Sequence, residues 1–148
     1  MHPMTRLARF LLATSLVVGI GKACAGENVD YLYRLHCSRC HGFDSEGSKL
    51  GCIPPFSGIV GHFAGTPDGR LYLVRVPGVA NAALPGSETA GLLNYVLRNW
   101  GRREIAPGAR NFTAEEAREL RDVRVDDVAA LRPTLAATLA KHGLSIEY

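Results

Sequence analysis

Cys37-Ser38-Arg39-Cys40-His41 is the stretch whose residue types and spacing carry chemistry. Two thiols three residues apart, followed at once by an imidazole, match the attachment sequence of a c-type haem. On a helix the two cysteines stand about one turn apart. Both sulfurs can then bond one edge of a porphyrin while His41 supplies the proximal axial nitrogen. A structural zinc site needs further Cys or His pairs at similar spacing, and none follows. A thioredoxin-type redox pair follows a strand, whereas the run before Cys37 has helical periodicity. The expectation is one covalent haem c on Cys37 and Cys40, with His41 on the iron.

The elements around the motif read in chain order. Residues 1–25 have the pattern of a secretory signal peptide: Arg6 and Arg9, an apolar run from Phe10 to Ile20, and small residues at Ala23 and Ala25. The run is too short for a stable membrane anchor. Cleavage after Ala25 removes Arg6, Arg9 and Lys22 and no acid, leaving 14 basic against 14 acidic side chains. The net charge of +3 thus belongs to the signal, and nothing in the remainder points to nucleic-acid binding. Glu27 to His36 is expected to be a helix capped by Asn28, with Tyr31, Leu32 and Leu35 as its apolar stripe. Leu71 to Val76 is a short apolar run that periodicity leaves open between helix and extended chain. Ser87 to Trp100 predicts a strong helix, with Ser87 as N-cap, Leu92, Leu93, Val96, Leu97 and Trp100 buried, and Gly101 at its end. Thr113 and Glu116 form a capping box for a helix over 114–121. A last helix starts at Asp126 or Asp127, with a kink or break at Pro133 and an end at Gly143. Cys52, left over once Cys24 is cleaved and Cys37 and Cys40 hold haem, reads as a small buried hydrophobe.

This order of parts resembles the class I, monohaem cytochrome c family: a short helix, Cys-x-x-Cys-His, a Gly-rich loop at Gly42 to Gly47, then Ile53-Pro54-Pro55-Phe56-Ser57-Gly58. Leu92 to Val96 is similar to the family's final helix, with Tyr95 at the aromatic position that packs on the first helix. The resemblance covers about residues 28–100. It implies an all-α, cytochrome c-like fold around one covalent haem, with residues 26–101 as the haem domain and 102–148 as a helical C-terminal extension. It also implies that the Pro54 carbonyl accepts the second ring N–H of His41, fixing its tautomer.

The family's usual second axial ligand is methionine, and here the only methionines are Met1 and Met4. The corresponding segment reads Gly78-Val79-Ala80-Asn81-Ala82-Ala83, in which Asn81 alone has a ligating side chain. His62 is the other candidate, because imidazole is a strong haem ligand. An open sixth position is the third option. The resemblance implies a periplasmic one-electron carrier, not an enzyme, that exchanges electrons with a dehydrogenase or oxidase through the haem edge near Cys37 and Cys40. The other readings are a haem protein that binds oxygen, nitric oxide or peroxide at the sixth site, and an accessory haem subunit of a dehydrogenase. The motif itself makes one prediction. The haem should resist acid-acetone extraction, and Cys37→Ala or Cys40→Ala should sharply reduce the yield of holoprotein; fully extractable haem would contradict covalent attachment.

Overall fold

The computed structural model describes residues 24–105 and 109–144, with side chains from Val29 onward. The signal-peptide reading of residues 1–25 thus lies almost wholly outside the described residues. Eight helices follow one another among the described residues: α1 (Cys24–His36), α2 (Ser38–His41), α3 (Val60–Ala64), α4 (Pro67–Arg75), α5 (Pro77–Ala80), α6 (Gly86–Trp100), α7 (Ala114–Asp122) and α8 (Leu131–Ala140). The extended pairing among them is a single antiparallel bridge, Ser48 to Ile53.

The fold is built on the crossing of α1 and α6. Leu92, Leu93, Val96 and Leu97 are buried as the α6 stripe requires. On α1 the buried face is Leu32 and Tyr33, while Tyr31 and Leu35 are 59% and 53% exposed. The expected stripe is therefore out of phase. A tyrosine is buried because its hydroxyl has an acceptor, the Gly42 carbonyl at 2.7 Å. Asp30 also serves the crossing rather than the helix dipole, since the Tyr95 hydroxyl donates to it at 2.8 Å. Asn28 lies inside α1 and does not cap it.

Local chemistry decides the remaining helices. Thr66 caps α4 by accepting from the Gly69 N–H, and Pro67 supplies the preset φ of the first turn. The Leu71–Val76 run is therefore helical as far as Arg75. Pro77 forces Val76 to ψ 139° and ends the helix there. α6 starts one residue ahead of Ser87, after Pro85, and Ser87 caps nothing. Gly101 ends α6 without the left-handed turn expected of it, at φ −102°. Gly61 and Gly101 are used instead for a close approach of α3 to the end of α6. A Cβ on Gly61 would stand 2.3 Å from the Gly101 carbonyl oxygen. Pro133 neither kinks nor breaks α8, because it sits in the first turn, where an N–H has no helical acceptor. Cys52 is exposed, in a left-handed turn at φ 52°, and is not a core residue.

Helices α7 and α8 complete the same core. Phe112, Ala117, Leu135 and Leu139 are buried in one cluster with Leu32, Val74 and Leu93. Asn94 fixes the incoming chain by pairing with both backbone groups of Phe112, at 2.9 and 2.8 Å. Thr113 caps α7, but Glu116 does not complete the capping box. Its carboxylate is taken by Arg70 at 2.6 and 2.7 Å and by Arg110 at 2.8 Å. These guanidinium hydrogen bonds, with Arg70 first, hold Glu116 below the usual carboxylate range.

The close approach of α3 to the end of α6 is directly testable. Gly61→Ala should lower the stability of the holoprotein by about 2 kcal/mol, in the range of overpacking substitutions. Denaturant unfolding measures it, and an unchanged midpoint would mean that this approach is looser than described.

Candidate haem-binding site

The motif sits where α1 runs on into α2. The Cys37 N–H still donates to the Tyr33 carbonyl at 2.8 Å, but at φ −116° the residue bends the helix. The N–H groups of Cys40 and His41 both return to the Cys37 carbonyl, at 3.1 and 2.9 Å. The two cysteines are thus one turn apart, and neither is in a disulfide, Cys37 half-buried and Cys40 exposed. Burial, and next the neighbouring Cys40, push the Cys37 thiol up to about 11, so it is protonated at neutral pH. Among the described residues no group of three or more His, Cys, Asp or Glu side chains could hold a metal ion.

His41 has an assigned direction. Its Nδ1 lies 3.1 Å from the Pro54 carbonyl oxygen. A carbonyl can only accept, so Nδ1 carries the hydrogen. Burial pushes the His41 pKa down, against the smaller opposing effect of that carbonyl, so the ring is neutral. The lone pair is then on Nε2, the atom left free to bind iron. The Phe56 ring stacks on the imidazole with centroids 4.1 Å apart and fixes its plane.

The loop between the two residues is shaped to bring Pro54 to His41. Gly47 donates to the His41 carbonyl at 2.9 Å in a left-handed conformation, φ 69°. A Cβ on Gly47 would lie 2.4 Å from the Ile53 carbonyl oxygen, so the turn closes only on glycine. Buried Ser45 accepts the Phe56 N–H on its carbonyl at 3.2 Å. Behind Phe56 the aromatic packing continues to Trp100 (6.0 Å), from Trp100 to Tyr33 (4.7 Å) and from Tyr33 to Tyr95 (5.7 Å). Sequence reasoning gave Phe56 and Tyr33 no role. The signal was an aromatic two residues after Pro54.

The two sixth-ligand candidates lie apart from this cluster. Among the described residues, neither makes a hydrogen bond or ring contact with His41, Cys37 or Cys40. His62 is half-buried on α3, which begins within one turn of Phe56: the Val60 N–H donates to the Phe56 carbonyl at 2.9 Å. Phe56 covers one face of the His41 ring, and the Pro54 carbonyl meets its Nδ1. Asn81 is exposed at the end of α5, before the turn at Ala83.

Comparison with known proteins gives two relatives, both called cytochrome c-552 and both from Thermus thermophilus. One is 30% identical over 133 residues, spanning 78% of this chain and 87% of its own length. The other is 31% identical over 103 residues, spanning 57% of this chain and 78% of its own. No family model and no solved structure matches the chain.

The Tyr33 hydroxyl ties α1 to the turn that follows the histidine, and burial pushes it up to about 12, so it is always a donor. Tyr33→Phe should cost about 1 kcal/mol, the net value of one such hydrogen bond. Thermal unfolding of the holoprotein measures this, and a loss near zero would mean that Gly42 is held without it.

Proposed function

The chain belongs to the class I, monohaem cytochrome c family and carries a covalently bound haem c as an electron carrier, and from this premise we propose that it passes single electrons between redox partners in the periplasm. The observation that carries the site assignment is the His41 Nδ1 to Pro54 carbonyl contact, which leaves Nε2 as the free imidazole nitrogen. The residues present fit the group. Cys37 and Cys40 would form the thioethers, His41 Nε2 would be the proximal ligand, and Pro54 and Phe56 would hold its tautomer and ring plane. When bound, the haem supplies a reversible one-electron iron couple, tuned by its ligands and burial. The protein's own task is then to keep the ligand set rigid and water away from it.

Export is supported by the Arg6 to Ala25 pattern and by the need to attach haem outside the cytoplasm. No helix among the described residues is long and apolar enough to cross a membrane. Cys40 and Arg39 are exposed, which supports this end of the molecule as the electron port toward a periplasmic dehydrogenase or oxidase. For the sixth position we take the 77–84 segment, with Asn81 its one ligating side chain, over His62, because it stands just before α6, where the family's ligand segment stands.

A second reading, binding of a small ligand at the sixth site, draws on the lack of any methionine after Met4. Absorption spectra in both redox states separate the readings. Ferric His62→Ala should keep the wild-type spectrum while Asn81→Ala moves it toward high spin, and the reverse pattern would assign the position to His62. If Asn81 binds only the ferric iron, reduction releases it and carbon monoxide is taken up quickly, so a low-spin ferric spectrum supports the carrier, and a high-spin spectrum in both redox states would put ligand binding ahead.

A further inference from the structure

Helix α7 touches both ends of the segment just assigned to the sixth position. At the start of that segment Arg75, the last residue of α4, donates from Nη1 to the Arg121 carbonyl at 2.5 Å. At its end the Arg121 guanidinium donates from Nη1 to the Leu84 carbonyl and from Nη2 to Thr89 Oγ1, both at 2.6 Å. Thr89 is fully buried, and its hydroxyl in turn faces the Leu84 carbonyl at 3.4 Å. One α7 residue thus holds both ends of Val76–Leu84, by its backbone and by its side chain.

Between those points the segment makes only local bonds. Val79 and Ala80 return to the Val76 carbonyl, Asn81 to Pro77 and Ala82 to Val79. Its side chains are small, and the turn at Ala83 is left-handed, φ 53°. No hydrogen bond from residues 77–83 reaches another helix among the described residues. Val79 and Ala82 pack against the core, and the hydrogen bonds that tie the segment to other helices are at its ends. A guanidinium suits this task because its planar fork reaches two acceptors at once, whereas an ammonium cannot fix both directions.

We propose that Arg121 is a positioning residue for the sixth-ligand side of the haem: through it, α7 sets where the 76–84 segment stands and how readily the iron's sixth position opens. This rests on the assignment of that segment in the preceding section. The C-terminal helices are then part of the device that controls the iron's sixth ligand, in addition to closing the core.

The experiment compares holoprotein of wild type, Arg121→Met, Arg121→Lys and Thr89→Val by two readouts. The first is amide hydrogen exchange in peptides covering 76–84, with 29–41 as the internal reference. The second is the rate at which the ferric protein takes up added cyanide. Arg121→Met should speed both exchange in 76–84 and uptake by about tenfold, as expected for losing a charge-assisted hydrogen bond, with 29–41 unchanged. Arg121→Lys, which keeps one donor, should restore part of each. Thr89→Val, which removes the acceptor of Arg121 Nη2 and the long hydroxyl contact to the Leu84 carbonyl but leaves Arg121 in place, should give a smaller shift in the same direction and serves if the Met variant does not fold. Unchanged exchange in 76–84 would overturn the bracket. Faster exchange with wild-type spectra and uptake would overturn the placement of the segment at the sixth position. A wild type without covalent haem would sink the underlying assignment before any variant is compared.

Discussion

The contact between His41 Nδ1 and the Pro54 carbonyl, 3.1 Å long, constrains more of this molecule than any other. An imidazole that follows directly on a cysteine can turn about two bonds. Only when one nitrogen is committed does the other acquire a fixed direction. A backbone carbonyl commits it without ambiguity, since it has no hydrogen to offer. It also removes the choice of tautomer, and burial removes the choice of charge. What remains is a neutral ring with one lone pair pointing one way, which is what an axial ligand requires.

The surrounding structure reads as the means of holding that carbonyl in place. Pro54 lies thirteen residues after His41, and the chain must reverse between them. It does so through left-handed turns at Gly42, Ser45, Gly47 and Cys52, closed by the Ser48–Ile53 bridge. Phe56 then lies flat on the imidazole, and Trp100 and Tyr33 back it from α6 and α1. The α1–α6 crossing therefore supports both sides of the contact. α1 delivers the histidine, and Trp100, the last residue of α6, packs on the ring that covers it. Leucine in place of Phe56 would fill the space but could not stack, so the aromatic at this position is specific to how this chain holds its ligand.

How much can be read in advance depends on the range of the interaction. The Cys37-to-His41 spacing and the buried stripe of α6 are short-range or periodic patterns, and the sequence carries them openly, whereas the Pro54 contact follows only from the family resemblance. The first helix misleads because Tyr31, Leu32, Tyr33 and Leu35 allow two apolar faces. The choice between them is made by the Gly42 carbonyl and by Asp30 meeting Tyr95, neither of which a helical period encodes. Ser87 and Gly101 have the residue types of caps, but Pro85 starts α6 a residue early and Gly101 is kept for its contact with Gly61. Glu116 has the spacing of half a capping box, yet its partner is Arg70, 46 residues earlier in the chain. Arg121 carries no local signal at all, since its acceptors lie 37 and 32 residues away.

The most direct test of this account is the state of the His41 ring in the haem-loaded, reduced protein, observed by nitrogen-15 NMR. The account predicts a proton on Nδ1, resolved and protected from exchange with water by the Pro54 carbonyl, with Nε2 carrying the iron. A bare Nδ1, or an Nδ1 proton that exchanges as fast as one exposed to solvent, would contradict it.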